Sequence, residues 1–196
     1  MTTDETRLFP LQSRFEEALL LAARLHARQK RKDKDLPYIS HLLAVTALVF
    51  EDGGEEDEVI AALLHDAVED QGGLRTLEEI RRRFGERVAA IVEGCSDAVI
   101  HPKPPWQERK QTYLEHLRTA SAGVRRVSLA DKLHNARSIL ADLEQDGEAV
   151  WSRFNGGKQG SLWYYRSLLE IFQTGDDSHM LSEFARVMEE IEQRSA

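Results

Sequence analysis

The stretch "EEDEVIAALLHDAVEDQGG", residues 55–73, decides the fold. It opens on Glu55, Glu56, Asp57 and Glu58, which suit the positive end of a helix macrodipole. An apolar run from Val59 to Leu64 follows, and Gly72 and Gly73 close it. The pattern predicts one helix, buried along its first turns. His65, Asp66, Glu69 and Asp70 then crowd its end. On a helix, His65 and Glu69 lie four apart, as do Asp66 and Asp70, so all four edge one polar patch. Leaving even a neutral polar group unpartnered in a core costs roughly 2–7 kcal/mol. A divalent cation removes that cost by accepting lone pairs, and an adjacent His and Asp can both reach one ion. A solvated helix end with an acidic cluster is the competing reading of this stretch taken alone.

The rest of the chain reads as further helices between short punctuated loops. Ser13 and Glu16 form a capping-box pattern ahead of "FEEALLLAARLHARQKR", and Thr76 and Glu79 repeat it in "TLEEIRRRFG", which Gly85 ends. "LPYISHLLAVTALVFEDGG" begins at a proline turn and stops at Gly53 and Gly54. "IHPKPPW" is too proline-rich to be helical. "QERKQTYLEHLRTAS", "VRRVSLADKLHNARSILADLEQDG", "GSLWYYRSLLEIFQ" and "DSHMLSEFARVMEEIEQ" supply the remaining helical runs. The nearest thing to a strand, "VRRVSLA", runs straight into a helical pattern. The expectation is an all-α bundle and one domain over residues 1–196. Its core spans about 14–172, and a closing helix covers about 178–194.

The chain has 196 residues and a formal net charge of −8. That sign argues against a general nucleic-acid binder, which usually presents a basic face. A local basic run, "RQKRKDK" from Arg28 to Lys34, leaves room for a small anionic ligand. No stretch approaches the roughly 20 apolar residues of a membrane span. The N-terminal residues carry no secretory pattern. The single cysteine, Cys95, excludes a disulfide framework within one chain and reads as a small buried hydrophobe. A cytoplasmic location is expected.

Two more residues fit a metal site. His41 lies at the head of the preceding helix in "PYISH". Asp131 lies in "VSLADKLHNARSIL", whose apolar stripe is Leu129, Leu133, Ala136 and Leu140. Asp131, Asn135 and Ser138 make a second stripe of small polar residues, which suggests a pocket wall rather than a solvated face. Two His and two Asp suit Mn, Fe, Co, Ni or Zn better than Ca or Mg. Such an ion activates water and orients a phosphoryl group. Glu69 and Asp70 stand close enough to handle the protons.

"PYISH", "LLHDAVED" and "LADKLHNARS", in that order, resemble the HD-domain hydrolases of the RelA/SpoT type, and most closely the stand-alone small alarmone hydrolases. The resemblance implies an all-α HD fold with one Mn²⁺ held by His41, His65, Asp66 and Asp131. It implies Glu69 and Asp70 as the catalytic pair. Asn135 and Ser138 would contact the nucleotide, Arg31 and Lys32 match the basic pair before the first His, of which Arg31 would pack on the base, and Lys110 would reach the phosphates and Tyr164 the sugar. Where many members carry glycine after the Arg-Lys pair, this chain has Asp33. The implied reaction removes the 3′-pyrophosphate of guanosine tetra- or pentaphosphate (ppGpp, pppGpp), giving GDP or GTP. The alternative is an HD phosphohydrolase acting on another nucleotide, such as an adenosine alarmone or a nucleoside monophosphate. A nucleotide-binding HD fold without turnover is the reading from a different class. His26, His101, His116 and His179 carry no partner pattern and are expected at the surface or core edge. His134 is expected to point away from the Asp131 stripe, with support of the site from a second layer as the alternative. Arg28, Lys30 and Lys34 are expected to be solvated.

Overall fold

The structure is a computed structural model, and it describes residues 13–32, 34–97, 104–175 and 177–196. In chain order the helices are α1 (Ser13–Leu25), α2 (Ile39–Glu51), α3 (Glu56–Leu64), α4 (Ala67–Asp70), α5 (Leu74–Phe84), α6 (Glu86–Cys95), α7 (Trp106–Thr119) and α8 (Ala122–Asp146). A 3₁₀ helix (Gly147–Arg153), α9 (Gly157–Phe172) and α10 (His179–Arg194) follow. Among the described residues there is no strand, only an isolated antiparallel bridge between Lys30 and Pro37. The all-α expectation holds. Asp33 and His101 lie outside the described residues.

Helix α8 is the axis of the bundle. It packs against α2, α3, α6, α9, α10 and the 3₁₀ helix. Its buried residues therefore occupy several faces, from Val127 and Leu129 to Leu133, Ala136 and Ile139. Arg126 fastens α8 to its neighbours, reaching Glu58 at 2.5 Å and Asp52 at 3.0 Å. Gly123 lets α8 approach α6, because a Cβ there would meet Ile91 Cδ1 at 2.9 Å.

Three local expectations change. The helix predicted over 55–73 is broken into α3 and α4, with His65 and Asp66 in the turn between them. The His65 ring explains the break: its Nδ1 donates to the Ala62 carbonyl at 2.7 Å and so competes with the backbone ladder. Thr76 is not an N-cap. Gly73, at φ 60°, starts α5, and the Thr76 hydroxyl donates to the Gln71 carbonyl. The first helix stops at Leu25 rather than continuing through the basic run. Residues 29–32 and 34–38 pinch together instead, with Arg31 N on Leu36 O and Tyr38 N on Gln29 O, both at 2.9 Å.

Candidate active site

Four ligand-type atoms converge from three parts of the chain. His41 comes from the first turn of α2, His65 and Asp66 from the α3–α4 turn, and Asp131 from the middle of α8. His65 Nε2 lies 3.0 Å from Asp66 Oδ2 and 3.8 Å from Asp131 Oδ1. His41 Nε2 lies 3.5 Å and 3.1 Å from the same two oxygens. Donors about 2.1 Å from one ion sit roughly 3.0–3.4 Å apart in octahedral or tetrahedral arrangements, a spacing that the 3.0 and 3.1 Å pairs meet and the 3.5 and 3.8 Å pairs exceed. His41, His65 and Asp66 form the described cluster capable of holding a metal.

The tautomer makes the stronger argument. With His65 Nδ1 donating to Ala62 O, its Nε2 is the nitrogen left to take either a proton or an ion. That nitrogen is buried without a hydrogen-bond partner, because Asp66 Oδ2 is close but not aligned. A lone pair facing two carboxylates is repulsive unless a cation or a proton lies between them. Burial alone would push the His65 imidazole down. The carboxylates of Asp66 and Asp131 outweigh it and lift its pKa to about 9. In the same way, against the opposing effect of burial, His65 and His41 hold Asp66 well below the usual carboxylate range. Lys132, His41 and His65 do so for Asp131.

A second layer orients these groups. Tyr38 donates its hydroxyl to Asp66 Oδ2 at 2.6 Å, with its ring stacked on His26. Asn135 Nδ2 and Lys132 Nζ donate to the two oxygens of Asp131 at 2.6 and 2.5 Å. His134 Nδ1 lies 2.8 Å from His41 Nδ1. Burial, then His41, depress the His134 pKa to about 4, so His134 is neutral and can accept the His41 N–H. That bond leaves His41 Nε2 free to ligate. His134 thus does not point away from the site. Nor is His26 a surface residue: it is 2% exposed and meets the Tyr38 ring. His116 and His179 are exposed as expected.

The expected catalytic pair divides between two environments. Glu69 lines the adjoining cavity, and its Oε2 accepts from the Asp97 backbone N–H at 3.3 Å. Asp70 is exposed and accepts from Gln29 Nε2 at 2.8 Å. Gln29 is in turn oriented by His26 Nδ1, which donates to its Oε1 at 2.7 Å.

The cavity has a volume of about 420 Å³, ample for a nucleotide. All six residues expected to touch substrate line it: Arg31, Lys32, Lys110, Asn135, Ser138 and Tyr164. Arg31 Nη2 donates to Asn135 Oδ1 at 2.8 Å. Lys110 lies 4.9 Å over the Tyr164 ring and, with Arg109, pairs with Asp97. Sequence reasoning missed Tyr38, Arg109, Lys132 and Arg153, which also line the cavity, and it left Lys34 to solvent. Lys34 instead pairs with Asp142 at 2.6 Å, whereas Lys30 pairs with Asp35 at the surface. Counting the lining side chains, seven cations face three acids, so the cavity attracts anions although the chain is acidic. Cys95 packs outside this chemistry: burial pushes its thiol up to about 12, and its sulfur lies 3.6 Å from Ser128 Oγ.

A His/Asp cluster able to hold a metal, joined through Tyr38 and Asn135 to the wall of a cationic cavity and carried on an all-α bundle, defines a class. The chain belongs to the HD-domain family, whose profile matches residues 18–162. Within that family it is similar to guanosine-3′,5′-bis(diphosphate) 3′-pyrophosphohydrolase MESH1. The Xenopus tropicalis and Homo sapiens proteins are 43% and 41% identical to it over 126 residues, 63% of this chain and 68% of theirs. The Aquifex aeolicus guanosine-3′,5′-bis(diphosphate) 3′-pyrophosphohydrolase is 38% identical over 69% of this chain but only 19% of its own. The solved structure of a metazoan orthologue of SpoT, described as hydrolysing ppGpp, superposes with a TM-score of 0.76 at 26% identity, covering 91% of this chain and 95% of that one. HD-domain membership and the His/Asp cluster together mark a divalent-metal site. No described helix is long and apolar enough to cross a membrane.

Proposed function

We propose that the protein hydrolyses the 3′-pyrophosphate of guanosine tetra- or pentaphosphate, releasing GDP or GTP and pyrophosphate, with Mn²⁺ as its cofactor. The observation that carries this reading is the buried His65 Nε2, without a hydrogen-bond partner and facing two carboxylates, beside a cationic cavity whose wall includes Tyr38 and Asn135, the partners of Asp66 and Asp131. His41, His65, Asp66 and Asp131 would hold the ion, and their mixed N and O donors suit manganese. When bound, it would activate water and neutralise phosphate charge.

The chain's own residues do the rest. A water oxygen bonds to the phosphorus attached to the ribose 3′-oxygen as that P–O bond breaks. Glu69, on the cavity wall, takes one water proton and returns it to the ribose 3′-oxygen, which leaves as a hydroxyl. Asp70, oriented by Gln29, shares the handling of that proton. Lys110 and Lys132 meet the charge of the departing pyrophosphate from the Tyr164 side of the cavity. Arg31 and Asn135, already joined at 2.8 Å, present a planar guanidinium and an amide to the nucleoside. A nucleotide of this kind fits the cytoplasmic location expected from the sequence.

The test uses metal-stripped protein reloaded with Mn²⁺, Mg²⁺ or Zn²⁺, incubated with guanosine tetraphosphate and, in parallel, its adenosine counterpart. Products are resolved by anion exchange. GDP plus pyrophosphate with Mn²⁺, lost in Asp66→Ala and Glu69→Ala, is the expected result. Release of single phosphates, or turnover of the adenosine compound alone, would refute the assignment.

A further inference from the structure

We propose that Lys34 and Arg153 form a second phosphate subsite in the cavity, which takes the nucleotide's 5′-diphosphate while its 3′-diphosphate lies at the metal end. The inference rests on the 3′-pyrophosphohydrolase reading and assigns the side chains that would recognise the 5′ side of its substrate.

The polar stripe of α8 does not end at Ser138. Asp131, Asn135, Ser138 and Asp142 follow spacings of four, three and four, and Asn135, Ser138 and Asp142 line the cavity. At about 1.5 Å per residue, Asp131 and Asp142 are roughly 16 Å apart along the helix. The candidate metal ligands gather at the first end. At the other, Lys34 Nζ lies 2.6 Å from Asp142 Oδ1 and 3.1 Å from Ser138 Oγ. Arg153 Nη1 approaches Asp142 Oδ2 at 3.6 Å from the opposite side. Between the two ends, Arg31 and Asn135 occupy the position suited to the nucleoside.

Asp142 marks the point on which both cations converge. It is an internal anion held at an anion position, 14% exposed, while Lys34 and Arg153 are 33% and 30% exposed and reachable from solvent. A diphosphate carries more charge and more acceptor oxygens than one carboxylate, so it can compete for both cations. Arg153 keeps a partner on Asp146 at 2.5 Å, which holds its guanidinium in place during the exchange. Lys32 Nζ donates to the Arg153 carbonyl, tying the basic loop to this end of the cavity. The roughly 16 Å between the two ends is enough for a 3′-diphosphate, one ribose and an extended 5′-diphosphate taken together.

The experiment compares kcat/KM for guanosine tetraphosphate with that for guanosine 3′-diphosphate, which has a free 5′-hydroxyl. It uses the full chain and the variants Lys34→Gln, Arg153→Gln and Asp142→Asn. The unaltered protein is expected to favour the tetraphosphate by about tenfold or more, the scale of one or two charge-assisted hydrogen bonds. Lys34→Gln and Arg153→Gln should bring that ratio toward one. Asp142→Asn should raise it, because the competing carboxylate charge is gone. A merely structural strap predicts the opposite pattern: all three variants lose both substrates alike, and that result overturns the subsite. So does a ratio near one in the unaltered protein. If Lys34→Gln weakens inhibition by inorganic pyrophosphate but leaves the ratio unchanged, the cations serve free pyrophosphate and the proposal fails. Cleavage of neither substrate refutes the hydrolase reading and the subsite together, whereas cleavage of both without discrimination removes the subsite alone.

Discussion

Tyr38→Phe removes one oxygen atom and separates two roles for it. The Tyr38 hydroxyl donates to Asp66 Oδ2 at 2.6 Å, the same oxygen that faces His65 Nε2 at 3.0 Å and His41 Nε2 at 3.5 Å. Burial, reinforced by Asp66, raises the phenol well above its usual range, so Tyr38 stays a donor at any working pH. The ring's own contacts, stacked on His26 at 5.2 Å and edge-on to His41 at 5.6 Å, survive in phenylalanine. The hydroxyl orients the carboxylate but also occupies one of its lone pairs. A hydrogen bond to a charged group contributes about 1.5–3 kcal/mol. Part of that is recovered because the released lone pair makes Asp66 more basic. A net loss of about 1.4 kcal/mol, or roughly tenfold in Mn²⁺ affinity, is expected, at the low end of outer-layer effects on metal sites. Calorimetric titration of metal-stripped protein against Mn²⁺ reads this directly, and the melting temperature of the metal-free variant shows whether the fold is intact. An unchanged or tighter affinity in a folded Tyr38→Phe protein would refute the reasoning, because the hydroxyl would then only compete with the ion.

Further expectations follow from the same geometry. With His65 at about 9, its imidazole carries a proton at pH 7 in the metal-free protein, and an ion must displace it. Metal affinity should therefore rise with pH up to about 9, with about one proton released at pH 7; calorimetry in buffers of different ionisation enthalpy measures the release, and none would contradict the tautomer argument. Asp97 is held at about 2, against the opposing effect of burial, by Lys110 and then Arg109. Its folded pKa lies below its unfolded value near 3.9, so its stabilisation is present above about pH 4 and is lost as pH falls toward 2. The contribution is on the order of 2 kcal/mol, and Asp97→Asn should lower stability at pH 7 and flatten the acid limb of a denaturation profile; an unchanged limb would show the pairing to be inconsequential. Gly156→Ala places a Cβ within 2.6 Å of the Trp106 ring, so a loss of about 1–3 kcal/mol and a shifted tryptophan fluorescence are expected, and a fully stable variant with unshifted emission would show that the ring moves aside freely.

What the sequence made legible depends on whether a regular period connects spacing to place. Helix α8 is the favourable case. Asp131, Asn135 and Ser138 share a face because α-helical geometry demands it, and the same arithmetic extends to Asp142. It also reaches His134, three residues after Asp131 and so on an adjoining edge; comparison with its immediate neighbours alone sent it the wrong way. The basic loop over 29–38 has no such period. Its shape comes from backbone bonds such as Arg31 N to Leu36 O, and nothing in "RQKRKDK" distinguishes Lys34, which enters the cavity, from Lys30, which does not. The turn at His65 and Asp66 failed for another reason. A continuous helix was the right local inference from an acidic start and an apolar run, and a single side chain overrode it by capturing the Ala62 carbonyl. That capture is also what leaves His65 Nε2 to face the two carboxylates. At His65, periodicity misleads where the chain gives up helix, and a regular helix through His65 would have kept the Ala62 carbonyl for the backbone ladder and lost the bond that orients the ring toward Asp66 and Asp131.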